Sequence, residues 1–311
     1  MEQKKQYRMV AFDLDGTLLD QSHQISSHSV DYLRNLHKKG FIISIATGRS
    51  PAATAEVIRR LGFQGHDFPV VTTNGAKGIL VRHESELTGD NEENIQDFSK
   101  NPMVTGEMKI TELFHQPVPM DLAKKTLQIA KNIGCVTNYY VGHEIYAHVF
   151  EDWHVEATKK YSNLTGVEFT YRQDEYEEAM TKGLPSKLLV LCEPHKIDEI
   201  YNKLDQTLGN EAKVIRGSPP FFVEVLNKQV NKGNGLELLC KSLGVDISEV
   251  VAMGDGDNDI EFLQVSGHGV AMKNARETLK VVADDITKNC NAEDGAIKYL
   301  QKMDSAGSLH Y

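Results

Sequence analysis

The sequence predicts an α/β protein with a doubly wound, parallel-sheet (Rossmann-like) core and an inserted α+β cap domain built from two αββ units. Three observations carry this. At both ends of the chain, short apolar runs alternate with amphipathic stretches of helical period, as strands buried on both faces of a parallel sheet require. Each of these runs stops abruptly at a polar cluster. The middle of the chain instead reads twice as a helix followed by a hairpin.

The elements follow in order. Residues 8–12 read as a strand, with Val10 and Phe12, that stops at Asp13-Leu14-Asp15-Gly16-Thr17. Ser26 or Ser27 caps a helix over 29–39, which Gly40 ends. A second strand, 41–46, stops at Thr47-Gly48-Arg49, and Pro51 suits the first turn of a helix that runs to Leu61 and closes at Gly62. A third strand, 69–73, stops at Asn74-Gly75-Ala76. Residues 84–102 are polar, rich in Asn and Glu, and read as a surface loop or weak helix. The repeat comprises helices 121–132 and 194–208, each followed by two strands, 135–141 with 145–149 and 211–216 with 221–226. An open sheet with helices on one face is expected from it. The core pattern resumes with helix 233–243 and strand 249–253, which stops at Gly254-Asp255-Gly256-Asp257-Asn258-Asp259. Helix 260–264, strand 268–272, helix 275–282, an edge strand at 284–287 and a closing helix at 295–302 complete it. The small, polar tail after Asp304 reads as frayed. The core is therefore assigned to residues 1–83 and 228–311 and the cap to 84–227, with hinges near 80–86 and 226–231.

Composition narrows the function. With 311 residues, 40% hydrophobic and 25% charged, the chain is globular and fits two ordinary domains. A net charge of −10 argues against a nucleic-acid partner or an anionic membrane surface. No run approaches the roughly 18–20 apolar residues of a membrane span, and residues 1–8 lack the apolar centre of a secretory signal. Cys135, Cys192, Cys240 and Cys290 lie far apart, so they read as buried free thiols rather than a zinc or redox motif, which suits the cytoplasm.

In open α/β sheets the active crevice lies beyond the carboxyl ends of the strands. Asp13, Asp15, Thr47, Asn74, Asp255, Asn258 and Asp259 all sit at such ends. Acidic groups converge there only if a cation balances them, and all-oxygen ligands suit Mg²⁺. Phosphoryl transfer uses every one of these groups. Asp13 is placed to be a carboxylate nucleophile, and Asp15 the acid that protonates the leaving oxygen and then the base that activates water. Thr47 and Gly48 offer a hydroxyl and an amide to phosphate at a helix start. Lys232, chosen over its neighbour Lys228, balances the transferring group. Asp255 completes a metal site, Asp259 holds metal-bound water, and Asn258 orients lysine or phosphate. Asn74 is a turn former or a site contact. Arg49 holds the crevice together by pairing with an acidic residue, and Asp257 is a loop residue. In the cap, His143 at a hairpin tip is the candidate for leaving-group selection, and Arg216 and Arg172 for a charged substrate tail.

Residues 10–19, Val-Ala-Phe-Asp-Leu-Asp-Gly-Thr-Leu-Leu, resemble motif I of the haloacid dehalogenase-like superfamily. Ala46-Thr47-Gly48-Arg49 resembles motif II, Asn231-Lys232-Gly233 motif III, and Gly254 to Asp259 the GDxxND of motif IV. Asn74-Gly75-Ala76, the Val270–Ala275 stretch and Glu293-Asp294-Gly295 resemble further marks of its Cof-type hydrolases, which carry a type II cap. Phe262 departs from the Met usual at its position, a change expected to touch packing alone. The resemblance implies Mg²⁺-dependent hydrolysis of a small phosphorylated metabolite, a sugar phosphate foremost, through an aspartyl-phosphate. It also implies that the Asp13 carboxylate, the Asp15 carbonyl and Asp255 hold the metal. The alternatives are a phosphomutase of the same superfamily and a non-catalytic regulator that binds a phosphometabolite. A dehalogenase is disfavoured because Asp15 has no task in that chemistry.

Overall fold

A computed structural model describes residues 5–63, 66–83, 108–142, 144–165, 168–172, 174–217 and 219–311. In chain order, the first elements are β1 (Met9–Phe12), α1 (Ser27–Lys38), β2 (Ile42–Ala46), α2 (Pro51–Leu61), β3 (Asp67–Thr72), β4 (Lys77–His83) and β5 (Met108–His115). Next come α3 (Met120–Asn132), β6 (Val136–Val141), β7 (Glu144–His148), α4 (Asp152–Thr165), β8 (Thr170–Arg172), α5 (Glu177–Lys182), β9 (Lys187–Leu191), α6 (Ile197–Leu208), β10 (Ala212–Arg216) and β11 (Phe222–Asn227). The chain ends with α7 (Lys232–Leu243), β12 (Val250–Gly254), α8 (Ile260–Val265), β13 (His268–Ala271), α9 (Glu277–Lys280), β14 (Asp285–Ile286) and α10 (Gly295–Ser305). Two compact units result: Met1–Arg49, Thr54–Phe114 and Asn231–Tyr311 form one, Ser50–Ala53 and His115–Val230 the other.

The first unit is the doubly wound core. Its eight-stranded sheet has the order β14-β13-β12-β1-β2-β3-β4-β5. From β14 to β3 every neighbouring pair is parallel. The chain winds outward from β1 through β2 and β3, and from β12 through β13 and β14 the other way. The order therefore reverses between β1 and β12, the place where such sheets open a crevice. All four residues of β1 and all five of β12 are buried, which is why they read as unbroken apolar runs. Helix α1 starts where Ser26 accepts the amide of Ser29, and it buries Val30, Leu33 and Leu36. Phe262 is fully buried in the same core, so its size is a packing matter.

Two strands beyond β3 were not foreseen. After β3, the three-residue turn Thr73–Gly75 reverses the chain, with Asn74 in the left-handed region at φ 54°, and β4 returns antiparallel to β3. Asn tolerates that conformation better than most residues. Strand β5 joins beyond β4, so residues 108–114 belong with the core sheet although they fall in the span read as cap. The loop expected at 84–102 lies outside the described residues. The tail is not frayed. Tyr7 donates to Ser308 at 2.9 Å, His310 donates to Tyr7 at 2.8 Å, and Leu309 is buried.

The second unit holds a six-stranded sheet of order β10-β11-β9-β6-β7-β8. Strand β9, wholly buried, pairs antiparallel with both β6 and β11 and so joins the two helix-hairpin repeats. Helices α3 and α6 bury Leu122, Leu127, Ile200 and Leu204 against the face that carries Tyr139, Leu188 and Val225. The expectation of helices on one face is corrected here. Tyr161 of α4 packs with Tyr140, Leu189 and Phe222, which point to the opposite face by strand alternation. Cys135, Cys192 and Cys240 are buried and free, whereas Cys290 is free and half-buried. No helix among the described residues is long and apolar enough to cross a membrane.

Candidate active site

Asp13 is the first residue past β1, and its amide donates to Met253 of β12 at 2.9 Å. This ties it to the strand whose end carries Asp255. The following turn passes through Gly16 at φ 85°, where a β-carbon would collide with the Asp255 carboxylate. Thr17 Oγ1 donates to Asp255 Oδ1 at 3.2 Å. The turn after β1 and the turn after β12 are thereby locked together.

Lys232 begins α7, whose first turn is capped by Asn231 Oδ1 accepting the Asn234 amide at 2.8 Å. Its ammonium is buried and donates to Asp13 Oδ1 at 2.5 Å and Asp259 Oδ1 at 2.6 Å. Burial disfavours that charge, but the two carboxylates outweigh it and hold the ammonium above its ordinary range. Asp259 Oδ2 accepts the amides of Asp255 at 3.0 Å and Gly256 at 2.9 Å, so it also shapes the loop. Lys228, the rival, is exposed.

Carboxylate oxygens of Asp13, Asp255 and Asp259 lie within 4.8 Å of one another. Burial pushes Asp13 well above the usual carboxylate range, with Lys232 opposing and Asp259 and Asp255 adding to the rise. Burial and the neighbouring Asp259 push Asp255 up to about 6. One lysine therefore faces three carboxylates, and the all-oxygen trio fits a hard divalent cation.

Thr47, Gly48, Asn74, Asn258 and Arg49 stand at the turns around this centre. Thr47, buried at the end of β2, accepts the Arg49 amide on Oγ1 at 3.1 Å, and its own hydroxyl proton has no acceptor among the described residues. Gly48 passes so close to Asn74 that a β-carbon would lie 2.9 Å from Asn74 Oδ1. Asn258 Nδ2 donates to that same oxygen at 3.1 Å. Asn74 thus forms the turn and also bonds to Asn258. Arg49 Nε donates to Asp15 Oδ2 at 2.8 Å and Nη2 to Oδ1 at 2.5 Å. Burial works against the Asp15 carboxylate, but Arg49 and then His23 outweigh it and hold it below its ordinary range. His143 lies outside the described residues. Arg216 is occupied, donating to Asp198 at 2.9 Å and stacked 3.5 Å from the Tyr201 ring centre. His23, whose Nδ1 lies 2.8 Å from Asp15 Oδ1, was missed; an exposed histidine in a polar loop gives no signal in sequence.

Comparison with known proteins fits this geometry. A family model for haloacid dehalogenase-like hydrolases matches residues 10–100 and 103–300. A phosphoglycolate phosphatase of Methanopyrus kandleri is 27% identical over 295 residues, 95% of this chain and 96% of that protein. A 5-amino-6-(5-phospho-D-ribitylamino)uracil phosphatase of Bacillus subtilis is 26% identical over 299 residues, 94% and 96% of the two chains. The crystal structure of a haloacid dehalogenase-like hydrolase from Bacteroides thetaiotaomicron has the same fold, with a TM-score of 0.75 at 24% identity over 96% of this chain and all of that one. The chain belongs to the haloacid dehalogenase-like hydrolase family and is one of its enzymes, a phosphoric monoester hydrolase.

Proposed function

We propose that this enzyme hydrolyses a small phosphorylated metabolite, a sugar phosphate foremost, through an aspartyl-phosphate on Asp13. The observation that carries this is the trio of buried Asp13 and Asp259 with half-buried Asp255 around Lys232, at the point where the strand order reverses. The two relatives above are named for phosphate esters of small alcohols, which supports the substrate class.

In this reading an Asp13 oxygen attacks phosphorus, and the bond to the leaving oxygen breaks. Asp15, which Arg49 and His23 favour in its ionised form, must take up a proton from solvent as the ester binds, and it gives that proton to the leaving oxygen. Water then attacks the aspartyl-phosphate while Asp15 takes a proton from it, so phosphate leaves and both aspartates are restored. Lys232 neutralises charge on the phosphoryl group, and Thr47, the Gly48 amide and Asn258 orient its oxygens. Asp13, Asp255 and the Asp15 carbonyl would hold Mg²⁺, with Asp259 behind them. The ion supplies Lewis-acid stabilisation of the phosphoryl oxygens. Leaving-group choice is assigned to the second unit, His115–Val230, as the inserted cap, with His143 as its candidate.

The test is phosphate release from a panel of phosphorylated metabolites, with Mg²⁺ and with EDTA, beside Asp13→Asn. Release is expected to need the metal and to fall at least about a thousandfold in the variant, while its circular dichroism and unfolding stay normal. Ordinary turnover by Asp13→Asn would sink the mechanism.

A further inference from the structure

The loop after Leu19 is clipped into one shape by a single carboxylate. Asp20 Oδ1 accepts from Ser22 N and Ser22 Oγ, both at 2.8 Å, and from Gln24 N at 2.9 Å. The main chain closes the same turn, Asp20 N to Gln24 O at 2.9 Å and His23 N to Asp20 O at 3.1 Å. The turn sets His23 at φ 56°. Left-handed backbone is unfavourable for a residue with a β-carbon and persists where its surroundings over-determine it, commonly at functional sites.

The clip delivers the His23 ring to Asp15. Nδ1 stands 2.8 Å from Asp15 Oδ1, and Arg49 grips the same carboxylate at 2.8 and 2.5 Å. With an ionised carboxylate as acceptor, Nδ1 carries the proton. The imidazole is 65% exposed, so apolar burial did not put it there. Three donors on two oxygens fix both the rotamer and the plane of the carboxyl group.

We infer that His23 is a positioning residue: with Arg49 it aims the Asp15 carboxyl group for protonation of the leaving oxygen. The inference rests on the acid role proposed above for Asp15. Proton transfer to a leaving group depends on aim within hydrogen-bond reach. A loosened Asp15 should therefore handicap an alkyl ester far more than an ester whose leaving group departs without a proton.

The measurement is the ratio of kcat/KM for hexose 6-phosphate to kcat/KM for p-nitrophenyl phosphate, since kcat/KM covers the steps through aspartyl-phosphate formation. His23→Gly, which accepts the backbone angle without strain, is expected to lower this ratio about tenfold. His23→Asn tolerates the same angle and offers an N–H, so it should recover the ratio to within about threefold of the parent. An unchanged ratio in His23→Gly, or equal losses on both esters, would overturn the inference. Asp15→Asn separates the two layers: if it leaves the ratio unchanged, Asp15 is not the acid, whatever His23 shows. A crystal structure of His23→Gly reads the aim without any substrate. The Asp15 carboxylate is expected to turn from its place, and a carboxylate that stays put also refutes the role.

Discussion

Among the described residues the two most deeply buried lysines lie one in each unit, and they differ in what surrounds them. In the second unit, Lys187 Nζ lies 2.6 Å from Glu224 Oε1, beneath the Tyr140 ring, whose hydroxyl donates to Tyr161 at 2.8 Å. One cation meets one anion, and the pair is closed. In the core, Lys232 meets Asp13 and Asp259, with Asp255 completing the trio. Burial disfavours both ammonium groups, and in both cases the carboxylates outweigh it. Burial is therefore equal and balance is not. A balanced pair holds structure together, whereas surplus negative charge at a strand end marks a place built to bind cations and act on phosphate.

The largest expected effect tests this contrast directly. Lys232→Met should lower kcat/KM by about a thousandfold, because a cation aimed at developing phosphoryl charge is lost. Lys187→Met should instead destabilise the fold by about 3–5 kcal/mol, since it strands a buried carboxylate. Pairing it with Glu224→Leu should recover most of that loss. Phosphate release and denaturant unfolding of the same variants check both halves. A Lys187→Met protein that folds normally yet is inactive would break the comparison.

The surplus charge also predicts a pH response that the balanced pair lacks. Asp255, pushed up to about 6, carries a proton below that pH and loses it above. Mg²⁺ must displace that proton, so its affinity, read from the shift in Tm, should fall about tenfold per pH unit below 6. Without metal the sign reverses. A carboxyl raised from 3.8 to about 6 makes the fold less stable as pH rises between those values. Asp255→Asn should then stabilise the metal-free protein by roughly 1–2 kcal/mol and abolish the Mg²⁺ shift. Lys187, raised above 10.5, gives stability that persists throughout this range and is lost only as pH climbs through its folded value.

The convergence of Asp13, Thr47, Asn74 and Asp255 was legible because a strand buried on both faces reads as one apolar run with a sharp end. Lys232 was legible because it alone stands just before a helix where the core pattern resumes. Strand β9 was not, because Lys187-Leu188-Leu189-Val190-Leu191 has no period to separate strand from helix. The tail looked frayed because its partner, Tyr7, lies at the other end of the chain. His23 was invisible because its place depends on the Asp20 turn and not on any pattern of its own.

The smallest effect sharpens the role of burial. Asp257 lies two residues from Asp255 in the same loop, yet its carboxylate turns outward. Oδ2 accepts from Arg276 Nη1 and Oδ1 from Thr278 Oγ1, both at 2.5 Å. Its side chain is 48% exposed and that of Arg276 67%. Water screens such a pair, and Asn keeps an acceptor for one of the two donors. Asp257→Asn should change stability by less than about 1 kcal/mol and turnover by less than about twofold. Set beside Asp255→Asn, the same substitution in the same loop then gives a small effect where the other gives a large one. A large loss of turnover at Asp257 would mean that the summed charge of the loop, rather than the burial of particular carboxylates, sets the chemistry, and the contrast between the two lysines would lose its basis.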